Sequence, residues 1–124
     1  METFNVVIAD DHPIVLLGVR ELVERDRRFN VVGEAVCPDG LIELLKSQAV
    51  DLLITDFNMP NMNGAELIQK VRAIDSYSYL PILLLTTEVR QEKIQQAIDG
   101  NITAIVKKPF DTAEFVKIVK KALR

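Results

Sequence analysis

Residues 50–64 read VDLLITDFNMPNMNG. The apolar run VDLLIT closes on Asp56, and a turn rich in Asn, Pro and Gly follows. Short apolar runs bounded by such turn formers read as buried strands. A buried strand that hands a carboxylate to a loop raises the question of what stands beside that carboxylate.

Four more runs of the same kind flank this one: FNVVIAD (4–10), FNVVGEAV (29–36), PILLLTT (81–87) and ITAIVKK (102–108). Each is followed by a stretch with helical periodicity. Val15, Val19, Leu22 and Val23 fall at i, i+4, i+7 and i+8, with Pro13 where a first helical turn tolerates it. Pro38-Asp39-Gly40 opens a short helix carrying Leu41, Leu44 and Leu45. A third helix follows Asn63-Gly64 and buries Leu67, Ile68, Val71 and Ile74. A fourth carries Ile94, Ala97 and Ile98, with Gly100 placed to cap its C-terminus. Asp111 or Thr112 caps a fifth, whose apolar stripe is Phe115, Ile118, Val119 and Ala122.

Five βα units with continuous Val/Ile/Leu strands predict an α/β fold, with a parallel five-stranded sheet covered on both faces. Right-handed crossovers make that a three-layer α/β/α sandwich, a (βα)5 flavodoxin-like arrangement. The 124 residues suit one domain, taken as 1–124. The net charge of −3 argues against nucleic-acid binding by this domain or attraction to an anionic membrane. METFNVV lacks the basic and apolar regions of a secretory signal, and LPILLL (80–85) is too short to span a bilayer. Cys37, the single cysteine, is expected to be a small core residue of a reduced, cytoplasmic protein.

In such sheets chemistry gathers beyond the carboxyl ends of the strands. The first run ends in Asp10-Asp11, the third in Asp56, the fourth in Thr86-Thr87 and the fifth in Lys107-Lys108-Pro109. Two like charges 4 Å apart repel by roughly 4 kcal/mol at an effective dielectric near 20. Three clustered carboxylates therefore raise one another's pKa values or recruit cations. A lysine supplies one positive charge, and a divalent ion held by oxygen ligands, Mg2+ where phosphate oxygens join the shell, supplies the rest. Asp56 then suits the role of a carboxylate nucleophile for a phosphoryl group, with lysine, metal and a threonine hydroxyl offsetting charge on the transferring oxygens. Strand alternation lets only one residue of each pair, Thr86 or Thr87 and Lys107 or Lys108, face a given side.

IADDH, ITDFNMPNMNG, LLLTTE and VKKPF, in that order on the four strands, resemble the motifs of receiver (CheY-like) domains of two-component response regulators. The resemblance runs over essentially the whole chain. It implies the strand order 2-1-3-4-5, with Asp56 as phosphoacceptor and Thr86 and Lys108 closing on the phosphoryl group. It implies Asp11 as a direct Mg2+ ligand, Asp10 as a ligand through water, and the Asn58 backbone carbonyl as a further ligand. It implies a cis bond before Pro109, and makes Asn58, Glu88 and Thr87 the residues that modulate loss of the phosphate. Ile105 stands where many receivers carry a Tyr or Phe that swings inward on activation, which puts an aromatic switch in doubt. The usual Gly-Ala after the fourth helix reads Gly100-Asn101.

The implied function is a switch that takes a phosphoryl group from a histidine kinase, a phosphotransfer protein or a small phosphodonor. The fourth helix, fifth strand and fifth helix then form the altered surface, for a downstream protein, an output domain beyond Arg124, or a second copy in a homodimer. IADDHPIVLLGVRELVE resembles receivers of the NarL and LuxR type, whereas MPNMNGAELIQKVRAI and LPILLLTTEVRQEKI look more like CheY. Divergence is the ordinary reading of that mixture; an engineered recombination of two receiver halves is the alternative. His12 belongs to the NarL-like signature and reads as a polar residue at a helix entrance. A haloacid-dehalogenase-type Mg2+ phosphatase would want a general acid two residues after Asp56, where Asn58 cannot serve. A flavodoxin-like FMN binder would want a Ser/Thr/Gly loop after the first strand, where DDHP stands.

Overall fold

The structure is a computed structural model that describes residues 2–59, 62–87, 90–99, 102–108 and 110–123. Its order is β1 (Phe4–Ala9), α1 (Pro13–Glu24), β2 (Phe29–Ala35), α2 (Pro38–Ser47), β3 (Leu52–Asp56), β4 (Asn58–Met59), β5 (Met62–Asn63), α3 (Gly64–Arg72), a 3-10 turn (Asp75–Tyr77), β6 (Ile82–Thr86), α4 (Gln91–Asp99), β7 (Ala104–Lys107) and α5 (Thr112–Ala122). The five long strands form one sheet in the order β2-β1-β3-β6-β7, all parallel. Counted along the chain, that is 2-1-3-4-5, with β1 and β3 side by side at the centre. The short strands β4 and β5 make a separate antiparallel hairpin.

Side-chain alternation sorts the sheet into two faces. Val7, Ala9, Leu53, Ile82 and Leu84 pack with Leu41 and Leu45 of α2 and Leu67, Ile68 and Val71 of α3. Val6, Ile8, Leu52, Ile54, Leu83, Leu85 and Val106 pack with Leu16, Val19 and Val23 of α1 and Phe115 and Val119 of α5. Both faces of the central strands are thus dry, which is why those strands read as continuous apolar runs.

Several local expectations change. β2 ends at Ala35, so Val36 is 54% exposed and Cys37 is exposed as the N-cap of α2, outside the core. As the residue before Pro38, Cys37 keeps extended backbone, with φ −149° and ψ 159°, so α2 begins only after it. Ile98, expected on the buried stripe of α4, is 49% exposed. Asp111 rather than Thr112 caps α5, its side chain accepting from Glu114 N. Leu16 is buried although the α1 stripe did not include it. The 3-10 turn is held by Arg72, whose Nη1 donates to the carbonyls of Tyr77 (3.1 Å) and Leu80 (2.7 Å). Gly100 lies outside the described residues.

Candidate functional site

Parity along the strands decides which side chains meet at the carboxyl edge. Asp10 continues the Val6–Ile8 row, Asp56 the Leu52–Ile54 row and Lys108 follows Val106, all toward the α1–α5 layer. Lys107 takes the opposite parity and is exposed. Strand alternation alone left Lys107 and Lys108 open, and the receiver resemblance implied Lys108; the structure brings Lys108 into the acids.

Asp10 is fully buried. Its backbone N–H donates to the Ala35 carbonyl (3.0 Å), which ties it to β2. Its Oδ1 accepts from the His12 backbone N–H (2.9 Å), and its Oδ2 accepts from Lys108 Nζ (3.0 Å). The same ammonium donates to Asp56 Oδ1 (3.0 Å). Lys108 itself is anchored through its backbone N–H to the Thr86 carbonyl (2.8 Å). One lysine from the fifth long strand therefore bridges acids from the first and third.

Asp11 completes the cluster. Its Oδ1 is buried and has no hydrogen-bond partner among the described residues. His12 Nδ1 stands 3.0 Å from that atom and 3.0 Å from Asp10 Oδ1. One ligand atom from each of Asp10, Asp11, His12 and Asp56 lies within 4.8 Å of the others. Buried carboxylate oxygens are rarely left without a partner, and a cation is the partner this donor set fits.

The electrostatics follow from crowding. Burial, and then Asp10 and Asp11, push the Asp56 pKa above its ordinary value, while the Lys108 ammonium opposes them. Burial works against the charge on Lys108, but hydrogen bonds to Asp10 and Asp56 outweigh it and raise its pKa. Lys108 therefore stays charged. The hydrogen bond to Asp10 and the charge of Asp11 raise the His12 pKa.

The remaining predicted residues are placed as follows. Thr86 ends β6 and is 1% exposed, while Thr87 after it is exposed. Ile105 in β7 is partly buried against the α2–α3 side of the core. Asn58 opens the hairpin directly after Phe57, whose N–H donates to the Leu85 carbonyl (2.9 Å). Glu88 and Pro109, with its expected cis bond, lie outside the described residues. Gly64 is needed for space rather than for an unusual backbone angle. A Cβ there would stand 2.8 Å from Phe57 Cδ2 and 3.0 Å from the Phe57 carbonyl oxygen. His12, expected as a polar residue at a helix entrance, stands there as the N-cap of α1, with its ring turned toward the two acids.

The family model described as response regulator receiver domain matches residues 6–120. The chain belongs to the response-regulator receiver family. It is 34% identical over 114 residues to the chemotaxis protein CheY-3 of Vibrio cholerae, covering 90% of this chain and 85% of that one. It is 37% identical to the transcriptional regulatory protein RcsB of Escherichia coli, covering 87% of this chain and 50% of RcsB. The isolated receiver domain of RcsB from Salmonella enterica, solved with the phosphomimetic BeF3−, superposes with TM-score 0.85 at 31% identity, covering 99% of this chain and 100% of that one. This receiver spans 58% of another solved Salmonella RcsB chain. The CheY and RcsB likenesses each run through about nine-tenths of the receiver. The acidic pocket of Asp10, Asp11 and Asp56 is thus the pocket of a two-component receiver. No described helix is long and apolar enough to cross a membrane.

Proposed function

We propose that this chain is one receiver domain, residues 1–124, in which Asp56 accepts a phosphoryl group and thereby changes an interaction surface. The observation that carries the reading is the Lys108 ammonium held 3.0 Å from both Asp10 and Asp56 inside a carboxylate cluster. An Asp56 oxygen attacks phosphorus in line with the leaving group. With a phosphohistidine donor on a histidine kinase or phosphotransfer protein, the P–N bond breaks and its electron pair stays on the donor imidazole. With acetyl phosphate, a P–O bond breaks and acetate leaves. Lys108 moves from pairing Asp56 to pairing an oxygen of the arriving phosphoryl group, and the Thr86 hydroxyl donates to another.

Mg2+ fits the donor set, with Asp11, Asp56 and the Asn58 carbonyl as ligands and Asp10 through water. When bound, it supplies charge that offsets the phosphoryl oxygens. Transfer and self-hydrolysis are the only chemistry; the protein is a switch, not a metabolic enzyme. Asn58, Thr87 and Glu88 border the phosphoryl group and set how fast water removes it. The altered surface is α4, β7 and α5, with Ile105 in place of an aromatic switch. It acts on a downstream protein, on a second copy, or on an output domain if the chain continues past Arg124. RcsB has been solved with DNA, and this chain spans 60% of that one. By analogy, DNA contact belongs to a part other than this domain. A receiver with this chemistry works in the cytoplasm, where kinase and Mg2+ are found.

Intact mass after incubation with acetyl phosphate tests the reading. The expected result is a gain of one phosphoryl group with Mg2+, none with EDTA, and none in Asp56→Asn. Equal labelling of Asp56→Asn would overturn it.

A further inference from the structure

Helix α1 carries an apolar surface outside the core. Ile14 is 81% exposed and Leu17 is 57% exposed, although an amphipathic surface helix keeps its large apolar side chains for the core face. Gly18 stands one turn after Ile14 on the same side of the helix. Glycine within a helix is destabilising relative to alanine, and a Cβ on Gly18 would meet no packed neighbour within 4 Å among the described residues. The packing of the domain itself therefore gives no reason for a glycine there.

Gly18 lies on the wall of a cavity of about 490 Å3 between α1 and the segment leading into α5. Val15, Val19 and Leu22 of α1 and Phe110 supply its mainly apolar lining. An apolar knob, Ile14, thus lies beside an apolar hole on one face. A face that bears both is complementary to a second copy of itself turned about a two-fold axis. With two α1 helices antiparallel and crossing at Gly18, Ile14 of each copy falls against Leu22 of the other, at the cavity. The missing side chain at position 18 lets the two backbones approach.

Charge gives the same orientation. At the N-terminal end of α1 the carboxylates of Asp10, Asp11 and Asp56 outnumber the Lys108 ammonium. At its C-terminal end Arg20 pairs with Glu24 and Glu34, and Arg28 pairs with Asp26. The side chains of Arg25 and Arg27 are exposed and have no acidic partner among the described residues. Antiparallel pairing sets the basic end of each helix over the acidic end of the other, with Arg25 toward Asp11. Parallel pairing would set like charges together.

We propose that α1 is a homodimer interface, an antiparallel two-fold pairing in which Ile14 of each copy enters the apolar cavity beside Gly18 of the other. This goes beyond the phosphorylation-altered surface of α4, β7 and α5, because the interface centres on α1 and forms without a phosphoryl group.

The experiment is sedimentation equilibrium of the untagged chain from micromolar to millimolar concentration, in EDTA and without phosphodonor. Wild type is compared with Ile14→Ser, Gly18→Arg and, on the exposed side of α4, Ile98→Ser. All three positions are exposed, and circular dichroism confirms that each variant is folded. The expected result is a monomer–dimer equilibrium that weakens as salt is added. Ile14→Ser and Gly18→Arg should each weaken it at least about tenfold, as loss of a central anchor does, and Ile98→Ser should change it less than about threefold. Wild type that stays monomeric throughout overturns the proposal, as does a dimer that Ile14→Ser leaves intact. A dimer lost only in Ile98→Ser belongs to α4 and overturns it equally. A dimer that salt leaves unchanged overturns the antiparallel pairing.

Discussion

Lys108 is the residue on which the site turns. It neutralises a fully buried carboxylate, Asp10, and a nearly buried one, Asp56. Removing one partner of a buried pair costs about 3–5 kcal/mol, and the partial exposure of the ammonium puts Lys108→Ala at the low end, about 3 kcal/mol. Lys107→Ala should stay within about 0.5 kcal/mol, as surface substitutions do. Urea melts of the two variants without divalent ions check this; equal losses would mean that Lys107 shares the role. Asp56 moves the other way. Its folded pKa is raised by burial and by the neighbouring acids, so ionisation costs stability above the ordinary carboxylate range. Asp56→Asn should therefore melt higher than wild type at pH 7 in EDTA, and the gap should close as pH falls and wild-type Asp56 takes up its proton. A lower melting temperature for Asp56→Asn at pH 7 would contradict that sign. The acids, Thr86 and the lysine pair were legible in the sequence because each ends an apolar run. Which lysine faces inward was not, since it depends on where the strand begins its alternation. The turn of the His12 ring toward the acids is also invisible in the sequence, because an N-cap histidine is compatible with either direction.

At the scale of elements, the strands and helices were legible from periodicity, and the departures have local causes. Val36 and Cys37 extend an apolar string past the last residue that β1 can pair, Ala35, so they leave the sheet despite their composition. The two-residue hairpin and the Asp75–Tyr77 turn carry too few residues to show a period. Gly64 marks a contact that no sequence period reveals, because α3 starts against the Phe57 ring. Gly64→Ala overpacks that contact and should cost about 1–3 kcal/mol, read by thermal melting. Asp111→Ala removes the α5 cap and should cost about 1 kcal/mol. The turn between α1 and β2 carries the clearest pH signature. Hydrogen bonds from the Arg28 side chain and backbone lower the Asp26 pKa to about 2. The bond contributes stability above the ordinary value of 3.8 and loses it as pH falls toward about 2. Wild type and Asp26→Asn should therefore differ in urea midpoint at pH 5 and converge near pH 2; a constant gap would deny the carboxylate its part.

At the scale of the molecule, two dry layers hold five strand ends in register, and the carboxyl edge collects charges that no single element could hold alone. Three acids on adjacent strands repel in the absence of a cation, so the fold stores a preference for whatever positive partner arrives. A ligand that binds the folded state alone stabilises it by about 2.7 kcal/mol at a hundred times its Kd. Saturating Mg2+ should raise the melting temperature of wild type, and much less that of Asp11→Ala; an equal rise in both would place the ion elsewhere. The central claim is that Asp56, and not Asp10 or Asp11, carries the phosphoryl group. Borohydride reduction of the phosphorylated protein converts an aspartyl phosphate to homoserine, and peptide mass spectrometry then locates it. The account predicts homoserine at position 56 alone, formed only when Mg2+ accompanies the phosphodonor. Homoserine at 10 or 11, or none in protein that has gained a phosphoryl group, would contradict it.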